Sequence, residues 1–208
     1  MEKLTYMELF NDLNSKKRNK KVLITSEAIE KIPYIQYDGF SDEDCQIIET
    51  LSKLVLKISK ENNNSNEVAI TYCLESAVLN SSLLDYVGIA KGTEYSVDPL
   101  SDTRSYHLIK SSNSCIVVLM HNHPSLSLFS LQDIRFFLEN GNIRLMTVIS
   151  NLGKVNYLLR REGYNKTVAI KLYNEAVEKN NNSNNLNGMQ DACKYFLYNS
   201  SKAGIKYK

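Results

Sequence analysis

Residues Cys115 to Met120 read CIVVLM, a continuous apolar run that breaks off at His121-Asn122-His123-Pro124. Such a run has no polar face to offer water, so it requires a strand covered on both sides, at the centre of a sheet. Alternate residues of a strand point to the same side, so His121 and His123 present both imidazoles to one point at the strand's end. Ser130 and Asp133 then stand at capping-box spacing ahead of a helix over Leu131 to Glu139, ended by Asn140-Gly141. A carboxylate in a first helical turn is favoured by the helix dipole, and from there Asp133 can turn back as a third ligand. The histidine pair alone is weak evidence for a metal, and Ser130 with Asp133 alone is an ordinary cap. Together they gather two imidazoles, a hydroxyl and a carboxylate near one spot.

The flanking sequence predicts an α/β chain of the α+β type, a mixed, mostly antiparallel sheet flanked by helices. Strands are expected at Val68 to Leu74, Tyr86 to Ala90, Ile116 to Met120, Leu145 to Ser150 and Val155 to Leu159, the last two joined as a hairpin through Asn151-Leu152-Gly153. Ser41 and Asp44 cap a long amphipathic helix running to about Lys60, and Thr103 to Ser111 is a shorter one. Helices are expected again at Thr5 to Asn14, Lys166 to Glu178 and Met189 to Asn199, the last two separated by the polar link Asn180 to Asn185. Val22 to Thr25 reads as a short strand, and the stretch from there to Phe40, broken by Pro33 and Gly39, is ambiguous.

Composition narrows the function classes. The 208 residues carry 25 Lys+Arg against 23 Asp+Glu, a net charge of +2, so no global field recruits nucleic acid or an anionic membrane. The local basic run Lys16, Lys17, Arg18, Lys20 and Lys21 has no interleaved aromatics and reads as a solvated loop. No stretch approaches the ~20 apolar residues of a membrane span, and Met1-Glu2-Lys3-Leu4 lacks the layout of a signal peptide, which makes the cytoplasm the expected address. Cys45, Cys73, Cys115 and Cys193 form no C-x-x-C pair and read as ordinary reduced thiols.

A buried strand running into H-x-H-P, with S-x-x-D opening the next helix, resembles the JAMM (MPN-plus, or JAB) metalloprotease family. The wording HNHPS is closest to its RadC-like and phage- or toxin-associated branches. The likeness spans roughly Asn66 to Arg160, about half the chain, and Lys91-Gly92-Thr93 resembles the Gly-Thr of RadC-like members. It implies a metalloprotease domain over 62–162, with an N-terminal helical or irregular extension over 1–61 and a C-terminal helical extension over 163–208. It also implies Zn2+ on His121, His123 and Asp133, Ser130 as oxyanion donor, and a general-base glutamate on an early strand. Glu67, at the start of Asn66-Glu67-Val68-Ala69-Ile70-Thr71-Tyr72, is chosen for that base over Glu75 and Glu94. The implied reaction is hydrolysis of a peptide or isopeptide amide in a protein, peptide or ubiquitin-like substrate. Three ligands leave a fourth position for water, as catalytic zinc sites do. The six-residue loop from Pro124 to Phe129 is one shorter than the family's commoner spacing. HNH nucleases share three letters with His121-Asn122-His123, but their residues lie far apart in sequence. A RadC-like DNA-associated protein and a non-catalytic MPN binding module are the alternative readings.

Overall fold

The computed structural model describes residues 21–74, 87–111, 116–125, 128–180 and 186–208. The expected Thr5 to Asn14 helix, the basic residues Lys16 to Lys20, the rival carboxylate Glu75, Cys115 and all of the Asn-rich link except Asn180 lie outside them. Within the described residues the chain forms six α-helices and one six-stranded sheet.

The sheet comprises β1 (Val68–Cys73), β2 (Val87–Lys91), β3 (Val117–His123), β4 (Ile143–Ser150), β5 (Val155–Arg160) and β6 (Ile205–Tyr207), in the order β2-β1-β3-β4-β5-β6. Every neighbouring pair is antiparallel except β3 with β4. Parallel neighbours cannot be joined by a tight turn. The crossover here contains the helix Leu131–Glu139, and it places that helix's first turn beyond the end of β3. The apolar run therefore forms a central strand, all seven of whose residues are buried, and it continues through both histidines.

Alternation along β3 divides the core. Val118 and Met120 pack with Val68, Ile70, Tyr72, Leu145 and Tyr157 against α2 (Asp42–Asn62), whose Ile48, Leu51, Val55 and Leu56 form its buried stripe. The periodicity predicts Ile47, Ile48, Leu51, Leu54, Val55 and Ile58; Ile48, Leu51 and Val55 are buried, Ile47, Leu54 and Ile58 flank them partly buried, and the Ser41–Asp44 capping box closes the helix's N-terminus. Val117 and Leu119 face the opposite layer, built from α3 (Thr103–Ser111), α4 (Leu131–Glu139), α5 (Lys166–Asn180) and α6 (Leu186–Asn199). By the same alternation His121 and His123 belong to this second face, and Asn122 belongs to the α2 face.

Two expectations are corrected. Val22 to Thr25 is not a strand: Val22 N–H donates to the Pro124 carbonyl (2.8 Å) and Ile24 N–H to Ser65 Oγ (3.1 Å), with no ladder. Both sides of β1 are already taken by β2 and β3, and Thr25 instead caps a short helix, α1 (Ser26–Glu30). The segment beyond residue 163 is not purely helical. After α6 a 3-10 turn (Ser200–Ala203) leads into β6, which pairs with β5. Gly204 makes that return feasible: its φ is +73°, and a Cβ there would lie 2.8 Å from the Tyr164 backbone. The C-terminal residues Leu172, Ala192, Phe196 and Ile205 share one cluster with Leu119, Ile134 and Phe137, so this region completes the core.

Candidate metal centre

The end of β3 meets the start of α4 at one point. His121 Nε2 and His123 Nε2 are 3.2 Å apart, and Asp133 reaches both, Oδ1 lying 3.3 Å from His121 and Oδ2 3.4 Å from His123. The histidines are buried and the carboxylate nearly so, with side-chain exposures of 5, 8 and 17%. Among the described residues these three form a group able to hold a metal ion. Burial pushes the Asp133 carboxyl up, but the two imidazoles push harder the other way and hold it well below the usual carboxylate range. Two ring nitrogens and a carboxylate converging at one point are a donor set for a cation once the imidazoles are neutral.

Ser130 is where capping and ligand geometry meet. Its backbone N–H (2.6 Å) and Oγ–H (2.7 Å) both donate to Asp133 Oδ2, while Asp133 N–H donates back to Ser130 Oγ (3.1 Å). The box fixes the rotamer of Asp133, so the helix cap also aims the carboxylate at the histidines.

Glu67 is buried immediately before β1, and its backbone is held from two sides. Its N–H donates to Thr93 O (2.9 Å), and its carbonyl accepts from Gly92 N–H (2.8 Å) and Asn63 Nδ2 (2.8 Å). A Cβ at Gly92 would lie 2.2 Å from Ser96 O, so the turn at Gly92-Thr93 requires glycine. Glu67, Glu94, His121, His123, Ser130 and Asp133 all line one cavity of about 570 Å3. Glu94 is half-buried, and the third histidine, His107, lies exposed on α3 outside this cavity.

Behind the histidines, on the α2 face, Asn122 organises a buried polar network that was not singled out from the sequence. Its Oδ1 accepts from Val68 N–H (2.8 Å), and its Nδ2 donates toward Ser59 Oγ (3.2 Å), Asn66 O (3.1 Å) and Asn151 Oδ1 (2.8 Å). Asn151 in turn donates to Val22 O and Ser65 O (2.7 and 3.0 Å). The network fastens the end of β3 to the residues flanking Glu67. The available signal was position: a polar side chain between two histidines on a buried strand must face the other layer, and there it requires partners.

The far wall of the cavity was also not anticipated, because α6 reads as an appended helix. Met189, Cys193 and Leu197 of α6 line it. Burial first, and then the charge of Asp133, push the Cys193 thiol up, so it stays protonated and acts as part of an apolar wall. The chain matches no family model, no curated protein and no solved structure in comparisons with known proteins.

Proposed function

We propose that the protein is a zinc-dependent amide hydrolase of the JAMM type, with an MPN-like fold, acting on a peptide or isopeptide bond in a protein, peptide or ubiquitin-like substrate. The observation that carries this reading is the donor geometry. Zinc bonds of about 2.0–2.1 Å meeting at about 109° set neighbouring donors about 3.3 Å apart. The two imidazole nitrogens are 3.2 Å apart, and each has a different carboxylate oxygen of Asp133 at that spacing, Oδ1 3.3 Å from His121 and Oδ2 3.4 Å from His123. Two imidazoles and one carboxylate are also the open, three-ligand type of donor set that catalytic zinc uses.

Zinc held by His121, His123 and Asp133 would supply Lewis acidity, enough to lower the pKa of a bound water toward ~7. The remaining roles fall to the chain's own groups. Glu67, buried at the same cavity, takes the proton of the attacking water and delivers it to the leaving amine. Asp133 and the two histidines keep their orientation through the Ser130 cap and the packing of β3. The Ser130 hydroxyl donates to Asp133 at rest, and on turning toward the cavity it becomes the donor for the developing oxyanion.

Metal analysis and a cleavage assay together test this. Purified wild type should hold one zinc per chain, and His123→Ala or Asp133→Ala should lose it; either variant binding metal like wild type would refute the ligand set. Glu67→Gln should keep the zinc and lose about 10²–10⁴ in rate on a panel of ubiquitin-like isopeptides and short peptides. An active Glu67→Gln protein moves the base to Glu94 or Glu75. Zinc retained by wild type with no cleavage of any panel member supports the non-catalytic binding-module reading instead.

A further inference from the structure

Below the histidines the same face of the sheet turns apolar. Leu119 precedes His121 by two residues, Met146 of β4 is its register partner, and both are buried while lining the cavity. On α4, Phe136 follows Asp133 by one turn and is only partly covered by the core. Opposite stand Met189, Cys193 and Leu197, at i, i+4 and i+8 of α6, one stripe of a helix. Gln190 and Lys194, one residue further along the same helix, are exposed and line the same cavity. The cavity is thus polar where β3 ends and apolar one to two residues further down. Its volume, about 570 Å3, lies within the roughly 300–1,000 Å3 range of clefts that enclose small ligands.

The hydrolytic roles assigned above use none of these apolar side chains. We propose that the recess between Leu119, Met146 and Phe136 on one side and Met189 and Leu197 on the other is a substrate subsite. It takes an apolar side chain or short acyl chain carried next to the carbonyl directed at His121, His123 and Asp133. The substrate class is therefore an amide flanked by a group of leucine or phenylalanine size, selected by the C-terminal helix. This inference rests on the metal-hydrolase reading, and its test separates the two.

Hydroxamates place a chelating group at a metal and a variable group beside it, so binding can be read without turnover. The zinc-loaded full chain is titrated calorimetrically with acetohydroxamate and with 4-methylpentanoyl and 3-phenylpropanoyl hydroxamates. Each methylene removed from water strengthens binding roughly fourfold, so both extended compounds should bind at least about tenfold tighter than acetohydroxamate. Met189→Trp, which fills the recess from a partly buried position, should abolish that gain and leave zinc content and acetohydroxamate affinity unchanged. If that variant does not fold, Leu197→Phe repeats the test. No gain in wild type, or a gain that survives filling of the recess, overturns the subsite and leaves the metal centre standing. Failure of the chain to take up zinc, or of the loaded chain to bind any of the three hydroxamates, overturns the open metal-centre reading, and the subsite with it.

Discussion

At Asp133 one carboxylate completes a helix cap and faces two imidazoles, so local and tertiary roles coincide on four atoms of side chain. Asn122 shows the same economy on the other face of β3. Removing its amide as Asn122→Ala would strand Val68 N–H and Asn151 Oδ1, at a cost of about 1–3 kcal/mol for each group left unpaired, while Asn66 O keeps its bond from the Ser59 hydroxyl. Asn122→Asp keeps the shape and the acceptor for Val68, but it sets a carboxylate oxygen against Asn66 O and Asn151 Oδ1. We expect both variants to unfold at lower urea concentration, with Asn122→Asp at least as damaging as Asn122→Ala despite its closer shape. A urea midpoint like that of wild type for Asn122→Asp would show that the network contributes little.

Among the elements, α4 decides whether the ligands meet. Its N-terminus is fixed by the Ser130 box, and its C-terminus by Arg160, whose guanidinium donates to Phe137 O, Asn140 O, Gly141 O and Ile143 O and lies between the Phe137 and Tyr164 rings. A cation among the last carbonyls of a helix is electrostatically favourable, and here it also ties the helix end to the start of β4. Ser130→Ala removes the cap at the other end. Expected is a loss of about 1 kcal/mol of stability, together with roughly 10–100-fold weaker zinc binding, because Asp133 loses the hydroxyl that holds its rotamer. Thermal unfolding of the metal-free protein and a zinc competition titration measure the two effects separately. Unchanged metal affinity alongside lower stability would mean that the cap acts on the helix alone.

For the molecule as a whole, the sheet is covered on both faces, and no helix among the described residues is long and apolar enough to cross a membrane. Burial at the α2 face has a pH consequence. It pushes the Tyr72 hydroxyl up to about 12 and raises Tyr37 as well, against about 10 for an exposed tyrosine. From about pH 10 upward the unfolded chain releases protons that the folded chain must keep, so stability is full below that pH and falls as pH rises toward 12. The Tyr72 hydroxyl also has no hydrogen-bond partner among the described residues. Tyr72→Phe should therefore be neutral or more stable than wild type by about 1 kcal/mol at neutral pH, with a shallower decline above pH 10. Urea midpoints at pH 7 and pH 10.5 check this, and an equally steep decline in the variant would exclude Tyr72 as a contributor.

The helices Thr103–Ser111 and Leu131–Glu139, the caps at Ser41 and Ser130, and the central strand through Val118 and Met120 were legible in the chain, because periodicity and capping are local and each is written within a few residues. The pairing of His121 with His123 was legible for the same reason: alternation along one strand is a property of the backbone. Their meeting with Asp133 was suggested by spacing but decided by the parallel register of β3 and β4, which sets where the crossover helix begins. Other features could not be read locally at all. Val22 to Thr25 has a strand's composition but bonds to Pro124 O and Ser65 Oγ in place of a ladder; Asn122 and Asn151 find partners as many as 129 residues away in sequence; and α6 reads as an appendage until β6 returns to the sheet and closes the cavity wall. Short-range hydrogen bonding and burial periodicity are encoded by neighbours in the chain, whereas which strand edge is vacant and which helix covers a face are settled only by competition among all the elements for the same sheet.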